Sequence, residues 1–152
     1  NDLLKTALHA YEVAYARRRS NPAIARDLAR VYERQVVFWD AERLYAKAQE
    51  AATRSTQLYK KAMELGGGDP EFAYDYGLRL ITVKEYAEAE TVFLKVIELQ
   101  APYRDAYYQL ALIATEQKAY DKARRFIQEA LRQDSGNEAV KSLLQRINQE
   151  SP

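Results

Sequence analysis

Apolar residues recur every three or four positions along nearly the whole chain, with polar residues in the gaps. That is the period of a helix with one face turned to a core. In residues 3–19 the stripe is Leu4, Ala7, Leu8, Tyr11, Ala14 and Tyr15. Arg17, Arg18 and Arg19 follow in its last turn, where cations complement the helix dipole, and read as a solvated helix end. Ser20-Asn21-Pro22 reads as a stop and a fresh start, with Pro at the first helical position. Leu28, Ala29 and Tyr32 lie on the next helix, which the pattern ends near Glu33–Val36. The stripe then runs unbroken through Val37, Ala41, Leu44, Ala48, Ala51, Ser55, Leu58, Ala62 and Leu65. No Gly or Pro interrupts it before Gly66-Gly67-Gly68. It predicts one long helix, Phe38–Leu65, roughly 40 Å at the usual rise. The alternative is a break near Thr53–Thr56, where hydroxyl side chains could cap a new helix. The glycine triplet supplies a left-handed cap, and Asp69-Pro70 opens the next helix.

Beyond Pro70 the pattern copies itself. A shift of 34 positions lays Tyr120 on Tyr86, Ala123 on Ala89, Ile127 on Phe93, Ala130 on Val96, Tyr108 on Tyr74 and Leu112 on Leu78. A fixed period carrying small and large apolar residues at fixed offsets marks a repeat array. Residues 70–103 and 104–137 are two such units. Upstream, Leu4, Ala7, Tyr11 and Ala14 lie 34 before Phe38, Ala41, Tyr45 and Ala48. Residues 1–21 therefore read as a half repeat, the second helix of a unit without its first, and 22–55 as a further unit. Fourteen residues, 56–69, then break the period as a helical extension ending in the glycine turn. Residues 138–152 form a terminal helix with a narrow stripe of Val140, Leu143, Leu144 and Ile147, the wet outer face an array's end needs. The expectation is a single all-α domain of seven helices and no strand.

The units resemble the tetratricopeptide repeat (TPR) family. In 70–103 the matching residues are Tyr76-Gly77, Leu80, Tyr86, Ala89, Phe93, Val96 and Pro102. In 104–137 they are Tyr107, Leu110-Ala111, Ala114, Tyr120, Ala123, Ile127 and Ala130. The departures are Ala73, Val96 and Ser135, where the family favours a large residue, Ala and Pro. The resemblance implies an α–α superhelix whose first helices line a concave groove, with positions five and nine of each unit facing it. Those positions are Tyr74 and Leu78, then Tyr108 and Leu112; in the earlier unit they are Arg26 and Arg30, with Arg34 one turn on. A repeated Tyr–Leu pair suits a peptide platform, because aromatic anchors carry much interface energy. The alternative is that these residues pack between neighbouring helices and that the arginines are solvated surface. The family's carboxylate-clamp function is not supported, since Asp75 and Gln109 stand where that clamp has other residues.

Composition narrows the function. With 23 basic and 22 acidic residues the formal charge is +1, which argues against a nucleic-acid surface built on bulk charge. His9 is the only His and there is no Cys, so neither a His-based metal site nor a Ser-His or Cys-His pair is predicted. The glycine triplet lacks the Gly-Lys-Ser/Thr of a phosphate loop. No catalysis, cofactor or metal is expected, and no run approaches the roughly 18 apolar residues of a membrane span. The chain starts at Asn1, not Met, so it reads as a processed or excised piece from which an export signal or anchor could have been removed. The leading expectation is an interaction module that docks a peptide or helix of another protein. The second is self-assembly into a homo-oligomer through the unpaired first helix.

Overall fold

The computed structural model describes residues 2–66, 69–99 and 103–151. Among them are eight helices and no strand: α1 Asp2–Arg17, α2 Pro22–Ala41, α3 Tyr45–Glu64, α4 Pro70–Thr82, α5 Tyr86–Leu99, α6 Arg104–Glu116, α7 Tyr120–Gln133 and α8 Glu138–Glu150. The fold class is the all-α class of helix-pair solenoids that the repeat predicts. No helix is long and apolar enough to cross a membrane among the described residues. Pro102, Gly67 and Gly68 fall outside them, whereas Gly66 holds the left-handed conformation expected at the end of α3, with φ 78°.

The chain divides into two compact units, 1–72 and 73–152. In the first, α2 and α3 form the main helix pair. Ala25, Leu28 and Ala29 on α2, and Ala48, Ala51, Ala52, Ser55, Leu58, Tyr59 and Ala62 on α3, are buried. Alanines dominate both sets and let two backbones come close. The hydroxyl of Ser55 donates to the Ala29 carbonyl at 3.0 Å, which satisfies it without water. Asn21 caps α2 as its place before Pro22 predicts: its side chain accepts from the amides of Ala23 and Ile24. α1 lies along α2 but has no buried residue; its predicted stripe is half-buried and the rest is exposed.

The single helix Phe38–Leu65 does not form. α2 passes straight through Glu33–Val36 and α3 passes straight through Thr53–Thr56, so neither the expected break nor the alternative one exists. The break is at Glu42-Arg43-Leu44, which makes eight helices rather than seven. Arg43 takes a left-handed conformation, φ 57°. Its amide donates to the Asp40 carbonyl at 2.9 Å and the Leu44 amide to the Trp39 carbonyl at 2.8 Å, the paired bonds of a Schellman turn. The same turn follows α4 and α6, with Lys84 at φ 63° and Lys118 at φ 58°. Pro22 to Arg43 is 21 positions, against 14 from Pro70 to Lys84 and 14 from Arg104 to Lys118. The excess that breaks the 34-residue period is thus shared between α2, with 20 residues where α4 and α6 have 13, and α3, with 20 where α5 and α7 have 14. Ala48, not Ala41, is the counterpart of Ala89 and Ala123: the first is 4% exposed and the other two are fully buried, while Ala41 is exposed.

In the second unit α5 supplies Ala89, Val92, Phe93 and Val96 to the core, and α6, α7 and α8 enclose a cluster around Ala111, Ala114, Ala123, Ile127, Ala130 and Leu143. Gly77 is required by contact: a Cβ there would lie 2.6 Å from Cζ of the fully buried Phe93 ring. One unit later the pair is Ala111 with Ile127, a larger residue opposite a smaller one. Gly77→Ala should therefore cost about 1–3 kcal/mol by overpacking. Adding Phe93→Ile should recover part of it; urea melts of the two variants decide.

Candidate functional site

Tyr74 and Tyr108 meet where the repeat places them. Both line a cavity of about 240 Å³ between α4, α6 and α8, together with Arg104, Asp105, Gln109, Asn137, Ala139 and Val140. Tyr74 is half-buried, edge-on to Phe93 at 5.5 Å between ring centroids and tilted against Tyr103 at 5.3 Å. Burial pushes its hydroxyl pKa up, against the opposing pull of a hydrogen bond donated by the Gln109 amide at 3.3 Å. The phenol therefore stays neutral. Tyr108 and Leu112 are half-buried against the α6–α7–α8 core. Leu78 is half-buried as well, and neither leucine lines the cavity. The quartet thus shares its area between packing and surface.

Polar groups that the sequence pattern did not single out frame the two rings. Arg104 bridges Asp105 at 2.7 Å and Asp134 at 2.8 Å. That hydrogen bond holds the Asp134 carboxyl below its usual range. Asn137 is committed to capping α8, accepting from the Val140 amide at 3.1 Å. Gln109 spends one amide hydrogen on Tyr74; its other hydrogen and its carbonyl can face a ligand backbone. The sequence signal for it was only its place one residue after Tyr108. The arrangement offers flat aromatic surface, one amide and a neutralised guanidinium. It can grip a chain but holds no nucleophile–base pair.

The arginine stripe lies in the other unit. Arg26 pairs with Asp69 at 3.4 Å and lies 6.0 Å from the centroid of the Phe72 ring; Arg30 lies 5.9 Å from the same centroid. Both are partly used inside the fold, whereas Arg34 is exposed. Trp39 is half-buried, with Phe38 edge-on at 4.7 Å and the Lys47 ammonium 4.6 Å above its ring.

The tetratricopeptide repeat model matches residues 80–147. None of the curated proteins matches the sequence. Solved structures do match in fold. YrrB, described as a TPR protein with an unusual peptide-binding site, is 17% identical, with a TM-score of 0.77 over 96% of this chain and 68% of its own. MamA from Desulfovibrio magneticus RS-1, solved from residue 41 to its end, is 17% identical, with a TM-score of 0.77 over 97% of this chain and 75% of its own. The first TPR of Spaghetti (RPAP3), bound to the HSP90 peptide SRMEEVD, is 17% identical, with a TM-score of 0.63 over 80% of this chain and 91% of its own. Residues 80–147 thus match the tetratricopeptide repeat, and the likeness to solved structures extends that fold, and the fold alone, over nearly all the rest of the chain.

Proposed function

We propose that the chain is a non-catalytic scaffold that docks an extended segment of a partner protein in the groove between α4, α6 and α8. One observation carries this reading: Tyr74 and Tyr108, equivalent in successive repeats, line the same cavity. Two partly exposed rings side by side give a continuous apolar strip, and Gln109 beside them offers amide hydrogen bonds to a passing main chain. Peptide binding by two proteins of the same fold, as their descriptions state, supports the class of ligand. Leu78 and Leu112 widen the strip, and of the arginines Arg34 is the exposed one.

Peptides selected from a displayed random library against the whole chain test it. Tyr108→Ala should weaken their binding by about 1 kcal/mol or more, as losing an aromatic anchor does, and circular dichroism should show the helices retained. If Tyr74→Ala with Tyr108→Ala binds the selected peptides as well as the parent, the groove reading is wrong. A second reading rests on α1, which has no buried residue and leaves Leu3 88% exposed. On that reading α1 pairs with another copy, and sedimentation equilibrium would show a dimer that Leu3→Glu disperses.

A further inference from the structure

The N-terminal unit has a trough of its own, unrelated to the groove above. Two cavities, of about 520 Å³ and about 400 Å³, adjoin at Glu12, Tyr32 and Arg54 as the two halves of a trough lined by α1, α2 and α3. Along α3 it reaches from Lys47 to Lys61, about 21 Å at the helical rise. An extended chain of roughly six residues covers that length.

Its chemistry is uneven. Leu28 and Leu58 give it an apolar floor. Of its two carboxylates, Glu12 already accepts the Tyr32 hydroxyl at 2.6 Å. Burial, then this bond, raises the Tyr32 pKa to about 12, so the phenol remains a donor and keeps Glu12 engaged through the neutral range. Four cations stand against those two carboxylates: Arg19, Lys47, Arg54 and Lys61. Lys47 rests on Trp39 and Lys61 reaches Glu64 at 3.4 Å. The side chains of Arg19 and Arg54 are exposed at the trough and make no ion pair or hydrogen bond among the described residues. A chain with a formal charge of only +1 has thus gathered surplus cations over an apolar floor.

We propose that this trough binds an acidic, extended segment of a partner polypeptide in which carboxylates alternate with apolar side chains. Successive side chains of an extended strand point to opposite faces. One set can therefore reach Leu28 and Leu58 while the other meets the two guanidiniums, whose forked donors suit carboxylates.

Fluorescence anisotropy of a fluorescein-labelled hexapeptide of alternating Glu and Leu, titrated with the whole chain, is the test. The parent should bind, more weakly as salt rises. Arg54→Gln should weaken binding severalfold, and Arg19→Glu with Arg54→Glu by about tenfold or more, with circular dichroism unchanged. Tyr108→Ala should leave this affinity as it is, which separates the trough from the α4–α6–α8 groove. No binding by the parent overturns the proposal. Equal binding of a Gln–Leu hexapeptide, or undiminished binding by Arg54→Gln, does the same. A parent dimer that the double variant disperses would assign the trough to a second copy and overturn it too.

Discussion

Ala51→Pro should lower the melting temperature of the N-terminal unit steeply, whereas Tyr45→Pro should leave it nearly unchanged. Ala51 lies in the second turn of α3 and is 3% exposed against α2. Proline there removes a helical hydrogen bond and drives its ring into the preceding carbonyl, at roughly 3 kcal/mol or more. Against a typical stability of about 5–15 kcal/mol that is a large share. Tyr45 is the first residue of α3 and is 67% exposed, a position where proline's fixed φ is already suitable. Thermal melts of the two variants locate the start of α3 directly. A large loss at position 45 would put it inside a continuous helix and contradict the turn at Arg43.

That turn shows what could be read from the chain and what could not. The 34-residue period from Pro70 to Asn137 is a matter of side-chain size, and size is visible in sequence. The end of α2 was not visible, because the expected signal was glycine. The turns after α2, α4 and α6 instead put a basic residue in the left-handed conformation: Arg43, Lys84 and Lys118. Such a residue costs roughly 1–2 kcal/mol over glycine, and the two turn hydrogen bonds offset it. The signature is nonetheless present, as Arg43-Leu44-Tyr45, Lys84-Glu85-Tyr86 and Lys118-Ala119-Tyr120. Aligning on it, with Ala48 three residues beyond Tyr45, gives the register of α3 at once. The site divides in the same way. That Tyr74 and Tyr108 are equivalent follows from the period. The roles of Gln109 and Arg104 depend on side chains reaching across helices, and the α1–α3 trough depends on how three helices pair. Neither leaves a periodic trace.

The second large effect is expected at Tyr59. Its side chain is wholly buried, stacked on Phe72 at 4.8 Å, with its hydroxyl donating to Glu33 at 2.8 Å. Tyr59→Ala empties that volume and removes one hydrogen bond to a half-buried carboxylate, so a loss of about 3–5 kcal/mol is expected. Tyr59→Phe keeps the ring and should cost less, about 1.5–3 kcal/mol, the worth of one hydrogen bond to a charged group. Chemical denaturation separates the two contributions. If the Phe variant lost as much as the Ala variant, the hydroxyl rather than the ring would hold this end of the pair together.

Two turns of helix consume 7.2 residues, and the lengthening of the α2–α3 pair comes in sevens on each side of Arg43. Pro22 to Arg43 exceeds Pro70 to Lys84 by seven positions, and Tyr45 to Pro70 exceeds Tyr86 to Arg104 by seven. Seven is nearly a whole number of rotations, so the buried stripe of each helix stays in phase along its full length. Any smaller step would rotate everything beyond it by about 100° per residue and swing Tyr59 and Ala62 toward water. Reach in this hairpin is therefore quantised. It can grow or shrink by about 10 Å at a time, and only when both helices change together, with no change to the alanine seam that joins them.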